Sequence, residues 1–135
     1  TIPNSVSSIG EQAFYSCSKL KTISIPNSVT SIGEKAFYGC SSLESITIPN
    51  SVTTIGEGAF SVCSNLAEFN GKFASDDGRC LIVDGTLLSF APAELTEYTI
   101  PNNATSIGVC AFYGCSDLKS IKLPDSITSI GDIAF

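Results

Sequence analysis

The 135 residues carry seven Lys and Arg against thirteen Asp and Glu, a formal net charge of −6. That balance argues against a nucleic-acid partner, which needs clustered cations to neutralise phosphates, and the absence of His removes His-dependent triads and every His-ligated metal site. No run of about 18 consecutive apolar residues occurs, so nothing in the sequence reads as a membrane-spanning helix or calls for membrane insertion.

In chain order, the opening phrase "TIPNSVSSIGEQAFYSC" returns as "SIPNSVTSIGEKAFYGC" and as "TIPNSVTTIGEGAFSVC". Ile2-Pro3, Ile25-Pro26 and Ile48-Pro49 are spaced by 23 residues, and so are Ile100-Pro101 and Leu123-Pro124. From Pro49 to Pro101 the spacing is 52, two periods plus six. The unit reads L-x-x-I-x-I-P-x-x-V-x-x-I-G-x-x-A-F-x-x-C. In the copy that starts at Leu20, Ile23 and Ile25 share one face and Thr22 and Ser24 the other, the alternation of a short strand. Pro26 cannot donate to a ladder and ends it. Val29 and Ile32 turn back inward, Gly33 permits a tight bend, and Ala36-Phe37 sends a large ring into the interior. The arc "GEKAFYGC" has room for little more than one helical turn.

One such coil cannot hide its own apolar side, so the copies must stack into a solenoid with a shared core. Strand rows are expected at 20–25, 43–48, 66–70, 95–100 and 118–123, joined in one parallel sheet, with Phe14, Phe37, Phe60, Phe112 and Phe135 as a spine behind it. The fourth copy departs from the pattern. In "RCLIVDGTLLSF" two apolar runs flank Asp84-Gly85, which predicts a β-hairpin with that pair at its tip and a partner segment near Lys72–Ala74. The irregular repeat then spans about 66–94, within a single domain over 1–135 that reads as a fragment of a longer array, since it opens at Thr1 in mid-phrase. Neither end shows a polar cap, which predicts further repeats or end-to-end self-association.

The phrase "LKTISIPNSVTSIGEKAFYGC" resembles the Treponema-type, or BspA-like, leucine-rich repeat of 23 residues, and the resemblance covers about the whole chain. It implies an α/β leucine-rich-repeat solenoid that is mostly β, a right-handed coil with a parallel concave sheet, and a convex side of short turns or single helical turns. It also implies a surface protein, since such repeats occur in bacterial proteins implicated in adhesion to host or matrix proteins, and in parasitic protists. The family motif is structural and carries over no functional residue.

Of the six Cys, four (Cys17, Cys40, Cys63 and Cys115) share one repeat phase behind the Phe and read as buried structural thiols. Cys80 and Cys110 fall outside it and lie in adjacent arcs, which raises the hypothesis of a disulfide between them. Asp76, Asp77 and Asp84 offer hard oxygens for calcium, but the twelve-residue loop spacing and closing Glu are missing, and Asp-Gly pairs are turn chemistry. Glu11, Glu34 and Glu57 recur in phase as a solvated stripe, which a catalytic dyad would not do. "NAT" at Asn103 matches a glycosylation acceptor but is a match that chance supplies. No catalytic, cofactor-binding or metal site emerges, and no cofactor is called for.

What remains is surface. The outward positions of the strand rows are Thr22, Ser24, Ser45, Thr47, Glu68, Asn70, Glu97, Thr99, Ser120 and Lys122, a polar concave strip with acidic middle rungs. It reads either as a recognition strip or as cross-strand ladders on a solvated face. The leading function is a non-enzymatic protein-binding or adhesion module of a bacterial cell-surface or secreted protein, extracellular in place, whose partner is a host or matrix protein or a neighbouring domain. A spacer that presents another domain, or a targeting domain attached to an enzyme elsewhere in the polypeptide, stand beside it.

Overall fold

The structure, a computed structural model, describes residues 1–135. The 23-residue phrase forms one coil of a β-solenoid, and the copies stack as six coils at 1–17, 20–40, 43–63, 66–91, 95–115 and 118–135. Eleven short strands occur in chain order: β1 (Ser8–Ile9), β2 (Ser31–Ile32), β3 (Ser45–Ile48), β4 (Thr54–Ile55), β5 (Glu68–Gly71), β6 (Cys80–Val83), β7 (Thr86–Phe90), β8 (Glu97–Thr99), β9 (Ser106–Ile107), β10 (Ser120–Lys122) and β11 (Ser129–Ile130). No helix forms.

A complete coil presents three faces. The front face is the Leu-x-x-Ile-x-Ile strand. The side face is the two-residue Ser-Ile strand, and the outer arc carries Ala-Phe. Side-face strands pair in parallel as β1-β2-β4 and as β7-β9-β11. Such strands extend the expected architecture: the phrase "VTSIG" reads as an inward turn in sequence, yet its Ser-Ile pair joins a ladder. The outer arc also bonds coil to coil without any strand, since the Phe14 amide donates to the Ala36 carbonyl (2.7 Å) and the Phe37 amide to Ala59 (2.8 Å).

At Gly33 and Gly56 the glycine of the Ile-Gly pair serves close approach more than bending. A Cβ at Gly56 would lie 2.3 Å from the Glu34 backbone nitrogen, and one at Gly33 would lie 2.5 Å from that of Glu11. Real Cβ atoms do not come so near, so only glycine lets the coils stack at this spacing. The left-handed positions fall elsewhere on the outer arc. Lys35, Gly58 and Cys110 hold one phase, and Ser16, Gly39, Val62 and Gly114 hold another.

The expected single front sheet is interrupted. Strands β3 and β5 pair, as do β8 and β10, but β5 and β8 do not. Residues 75–79 come between them: the Phe69 amide donates to the Gly78 carbonyl at 2.7 Å. Residues 20–25 form no strand either, since only the Glu44 amide reaches them, donating to Lys21 at 3.2 Å.

Coil four contains the hairpin. β6 and β7 run antiparallel around Asp84 (φ 49°) and Gly85 (φ 81°), the paired positive φ of a tight hairpin turn. The far edge of β6 meets the preceding segment through an antiparallel Ala74–Leu81 bridge and an Ile82 amide that donates to Phe73. From Gly71 to Leu87 the chain spends sixteen residues where Ile48 to Ile55 spends seven; from Leu87 to Leu95 it spends eight where Ile32 to Leu43 spends eleven. The side face therefore gains nine residues and the outer arc loses three, which accounts for the six extra residues of the period.

That exchange makes coil four a wedge. On the side face three strands' width (residues 72–74, β6 and β7) separates coil three from β9. On the outer arc coil three touches coil five directly, the Val62 amide donating to the Tyr113 carbonyl at 3.3 Å. With roughly 4.8 Å per strand, the stack bends toward its outer arc at this coil.

The core splits at the same place. Leu81 joins the cluster of coils one to three, around Phe37, Phe60 and Leu66. Its neighbour Cys80 points the other way, into the cluster of Leu87, Phe90 and Phe112. The Phe spine follows suit. Phe14, Phe37 and Phe60 stack in parallel at 5.0 and 5.2 Å, as do Phe112 and Phe135 at 5.2 Å. Phe60 and Phe112 are not stacked on each other: Phe69 closes the first stack edge-on at 5.4 Å, and Phe90 lies beside Phe112 at 4.8 Å.

Candidate binding surfaces

The ten polar positions of the front face lie where alternation puts them, and all but Asn70 are exposed. Ser45 pairs with Glu68 and Thr47 with Asn70; Glu97 pairs with Ser120 and Thr99 with Lys122. Thr22 and Ser24 flank the first pair from residues without strand pairing. The strip is thus two half-strips, split between Glu68 and Glu97 by the loop 75–79.

A side-chain network fixes this loop. The Asp77 carboxylate accepts from the Ser75 hydroxyl (2.6 Å), the Arg79 amide (3.0 Å) and the Tyr98 hydroxyl (2.7 Å). The Cys80 thiol donates to the Tyr98 oxygen at 3.4 Å. Partial burial pushes Asp77 up, but the three donors outweigh it and hold the carboxyl below its ordinary range. Burial, then the neighbouring Cys80 and Asp77, drive the Tyr98 phenol well above its usual value. Arg79 extends the anchor by donating to the carbonyls of Ala91 (3.1 Å) and Ala93 (2.9 Å). The oxygens of Asp77 are therefore committed to protein donors, and Asp84 is a turn residue, so the calcium reading of this segment gains no support. No three acidic or Cys side chains converge on a point where a metal could sit.

The thiols are all free, so the Cys80–Cys110 disulfide does not form. Cys80 faces Tyr98 in the core, whereas Cys110 lies on the outer arc beside Gly58 of coil three. The sequence puts these two residues in adjacent arcs; the missing outer arc of coil four parts them. The in-phase row holds at Cys40 and Cys63, which are buried and donate to the Phe14 and Phe37 carbonyls at 3.2 Å each, whereas Cys17 and Cys115 are only partly buried. Burial pushes the Cys40 thiol up to about 11 and the Cys63 and Cys115 thiols to about 12.

Sequence reasoning overlooked the tyrosines. Tyr15, Tyr38 and Tyr113 follow the spine Phe in three copies, and this in-phase Phe-Tyr pair was the available signal. On the outer arc Tyr15 and Tyr38 stack at 5.0 Å, nearly parallel, and Tyr113 comes to 6.4 Å from Tyr38. Only the withdrawal of coil four from this face lets Tyr113 approach. Burial by its neighbours raises the Tyr38 phenol, with Tyr113 and Tyr15 adding to the shift.

A family model described as "BspA type Leucine rich repeat region" matches six copies, over residues 1–74 and 88–135. The unmatched interval, 75–87, coincides with the loop, β6 and the start of β7. A leucine-rich cell surface protein from Faecalibacterium prausnitzii is 37% identical, with a TM-score of 0.86 over 99% of this chain and 37% of its own. The leucine-rich repeat protein of Treponema pallidum is 27% identical, with a TM-score of 0.56 over 96% of this chain and 47% of its own. One from Eubacterium ventriosum is 26% identical, with a TM-score of 0.64 over 95% of this chain and 48% of its own. This chain therefore spans less than half the length of each relative named. None of these names describes an enzyme. No curated protein matches the chain, and no helix is long and apolar enough to cross a membrane. With six copies of the motif over residues 1–74 and 88–135, the chain belongs to the BspA-type leucine-rich repeat family.

Proposed function

We propose that this chain is a non-enzymatic protein-binding module of a bacterial cell-surface or secreted protein, and that it serves adhesion to a host or matrix protein. The observation that carries this reading is the spending of the repeated residues on cohesion. Phe, Ile, Ala, Gly and Cys of the phrase are consumed by stacking, thiol-to-carbonyl bonds and close coil contact, and the exposed remainder is an extended polar surface. The similarity to a cell surface protein at 37% identity supports the location.

The front strip is the first surface to test. Its acidic rungs Glu68 and Glu97 flank the loop that carries Asp76 and Asp77, so the centre of the strip is negative. Binding of the 135-residue chain to immobilised fibronectin, laminin and collagen, measured with and without Glu68→Lys and Glu97→Lys, tests the reading. Loss of binding in the double variant supports the strip as a recognition face. Binding to none of them favours a spacer, and binding that survives the reversal moves the site off this face.

A further inference from the structure

We infer that the outer arc carries a second docking surface, a tyrosine row assembled across the wedge that takes a basic, arginine- or lysine-bearing segment of a partner protein. This goes beyond the front-strip reading and does not depend on it. Of the exposed large apolar side chains, Leu123, Ile130, Ile133 and Phe135 all belong to the last coil, and the two others are Tyr15 and Tyr113; Tyr is among the residues that anchor protein interfaces. Tyr15 is 45% exposed and Tyr113 38%, with Tyr38 half-buried between them.

The arrangement is built. Residues from coils one, two and five meet only because the Leu87–Leu95 connection omits the outer arc. Coil three contributes a small residue, Ser61, at the tyrosine phase, and the Ser61 hydroxyl donates to the Cys110 carbonyl at 2.8 Å, tying the two sides together. A tyrosine there would fill the space through which Tyr38 and Tyr113 approach.

The chemistry of the partner follows from ring geometry and charge. Stacked at 5.0 Å and 3° apart, Tyr15 and Tyr38 cover one face of each other's ring, so along the row they offer ring edges and phenol oxygens. Beside the row run Glu11, Glu34 and Glu57 in phase, all exposed. Lys35 forms the only salt bridge, with Glu34 at 2.8 Å, and its charge also reaches Glu11, so one cation serves a stripe of three carboxylates that stays negative. Phenol oxygens and carboxylates both accept from cationic N–H groups, and ring edges pack against the aliphatic stems of Lys and Arg. An acidic or neutral partner would leave those carboxylates uncompensated.

The experiment measures binding of a fluorescently labelled peptide of alternating arginine and serine to the 135-residue chain at low salt, with a glutamate–serine peptide as its control. The triple variant Tyr15→Ser, Tyr38→Ser, Tyr113→Ser keeps the net charge of −6 and places at each position the residue that coil three already has. It should weaken binding at least about ten-fold, as loss of interface anchors does. Glu11→Gln with Glu57→Gln and Glu68→Gln with Glu97→Gln change the net charge equally, so a larger loss from the first pair places the peptide on the outer arc. Should the triple variant melt early, Tyr15→Ser with Tyr113→Ser, both exposed, carries the same test. The inference is overturned by equal binding of the glutamate peptide, by undiminished binding of the tyrosine variants, by equal losses in the two glutamine pairs, or by no binding of the arginine peptide.

Discussion

Tyr98 in coil five donates its hydroxyl hydrogen to the Asp77 carboxylate of coil four at 2.7 Å. With the Cys80 thiol behind Tyr98 and the Ser75 hydroxyl on the other carboxylate oxygen, this contact joins the hairpin loop to the next regular coil. The front ladder breaks between β5 and β8, and at that break backbone bonds give way to side-chain ones.

Asp77→Ala removes three accepted hydrogen bonds, and leaves the half-buried Tyr98 hydroxyl without an acceptor for its proton. It should lower stability by about 1–2 kcal/mol in denaturant titration, at the modest end for charged bonds because the carboxylate is largely solvated. The pH dependence has a definite sign. The folded carboxyl lies below its ordinary value of 3.8, so its contribution is present above that value and is lost as the pH falls through the lower folded value. The difference in melting temperature between the native chain and Asp77→Ala should therefore be constant near neutrality and shrink below about pH 4. A difference that persists unchanged into strong acid would remove the charge from this account.

Phe37 is 0% exposed and stacked on both sides, by Phe14 at 5.0 Å and Phe60 at 5.2 Å. Phe37→Ala should cost roughly 3–5 kcal/mol, the transfer term plus the cavity that neighbouring rings cannot fill. Phe135→Ala, whose ring is 55% exposed, should cost far less. Comparable losses at the two positions would mean that the stack does not carry the core.

Most of the repeating apolar features were legible in the sequence, and of those that occur once only the hairpin turn was. Pro, Ile, Ala-Phe and Cys in phase located four of the five front strand rows, the two halves of the Phe row and the buried Cys40 and Cys63, and Asp84-Gly85 located the hairpin tip. The Ser-Ile side strands escaped because two residues offer no periodicity to read. The break in the front sheet and the parting of Cys80 from Cys110 both come from the pairing of residues 75–79 with β5 and from the short Leu87–Leu95 connection. Both are unique features of coil four that no other copy could reveal by comparison. The ten strip residues were placed on their face by alternation alone, whereas what that face binds depends on a partner that the chain does not contain.

Gly56→Ala tests the coil spacing. The added Cβ meets the Glu34 backbone nitrogen at 2.3 Å, and backbone cannot step aside as a flexible side chain would. Overpacking of this kind costs about 1–3 kcal/mol, and here the upper end is expected. Gly10→Ala occupies the same phase with nothing within 4 Å and should be nearly silent in this chain. Equal effects at Gly56 and Gly10 would show that backbone freedom, not contact, selects the glycine.

Val62 has φ 61°, a left-handed conformation that a β-branched side chain adopts under strain. Gly39 and Gly114 hold the same phase at φ 72° and 81°. Val62→Gly should relieve the strain and, after the entropy that glycine gains in the unfolded chain, raise stability by roughly 0.5–1 kcal/mol. A loss of stability would mean that the packing of Val62 against Gly114 outweighs its backbone cost.

The thiols give the last prediction. Alkylation at pH 8 requires thiolate, and burial pushes Cys40 up to about 11 and Cys63, Cys80 and Cys115 to about 12. For Cys40 and Cys63 the S–H bond to a Phe carbonyl also occupies the proton. Iodoacetamide on the native chain should therefore mark Cys17 and Cys110, both partly exposed, long before Cys40, Cys63 or Cys80. After unfolding without reductant, all six should react, because none is bonded to another. Peptide mapping that finds Cys80 and Cys110 linked would refute the separation of hairpin and outer arc, and rapid labelling of Cys63 in the native chain would deny that the thiol row lies inside the stack.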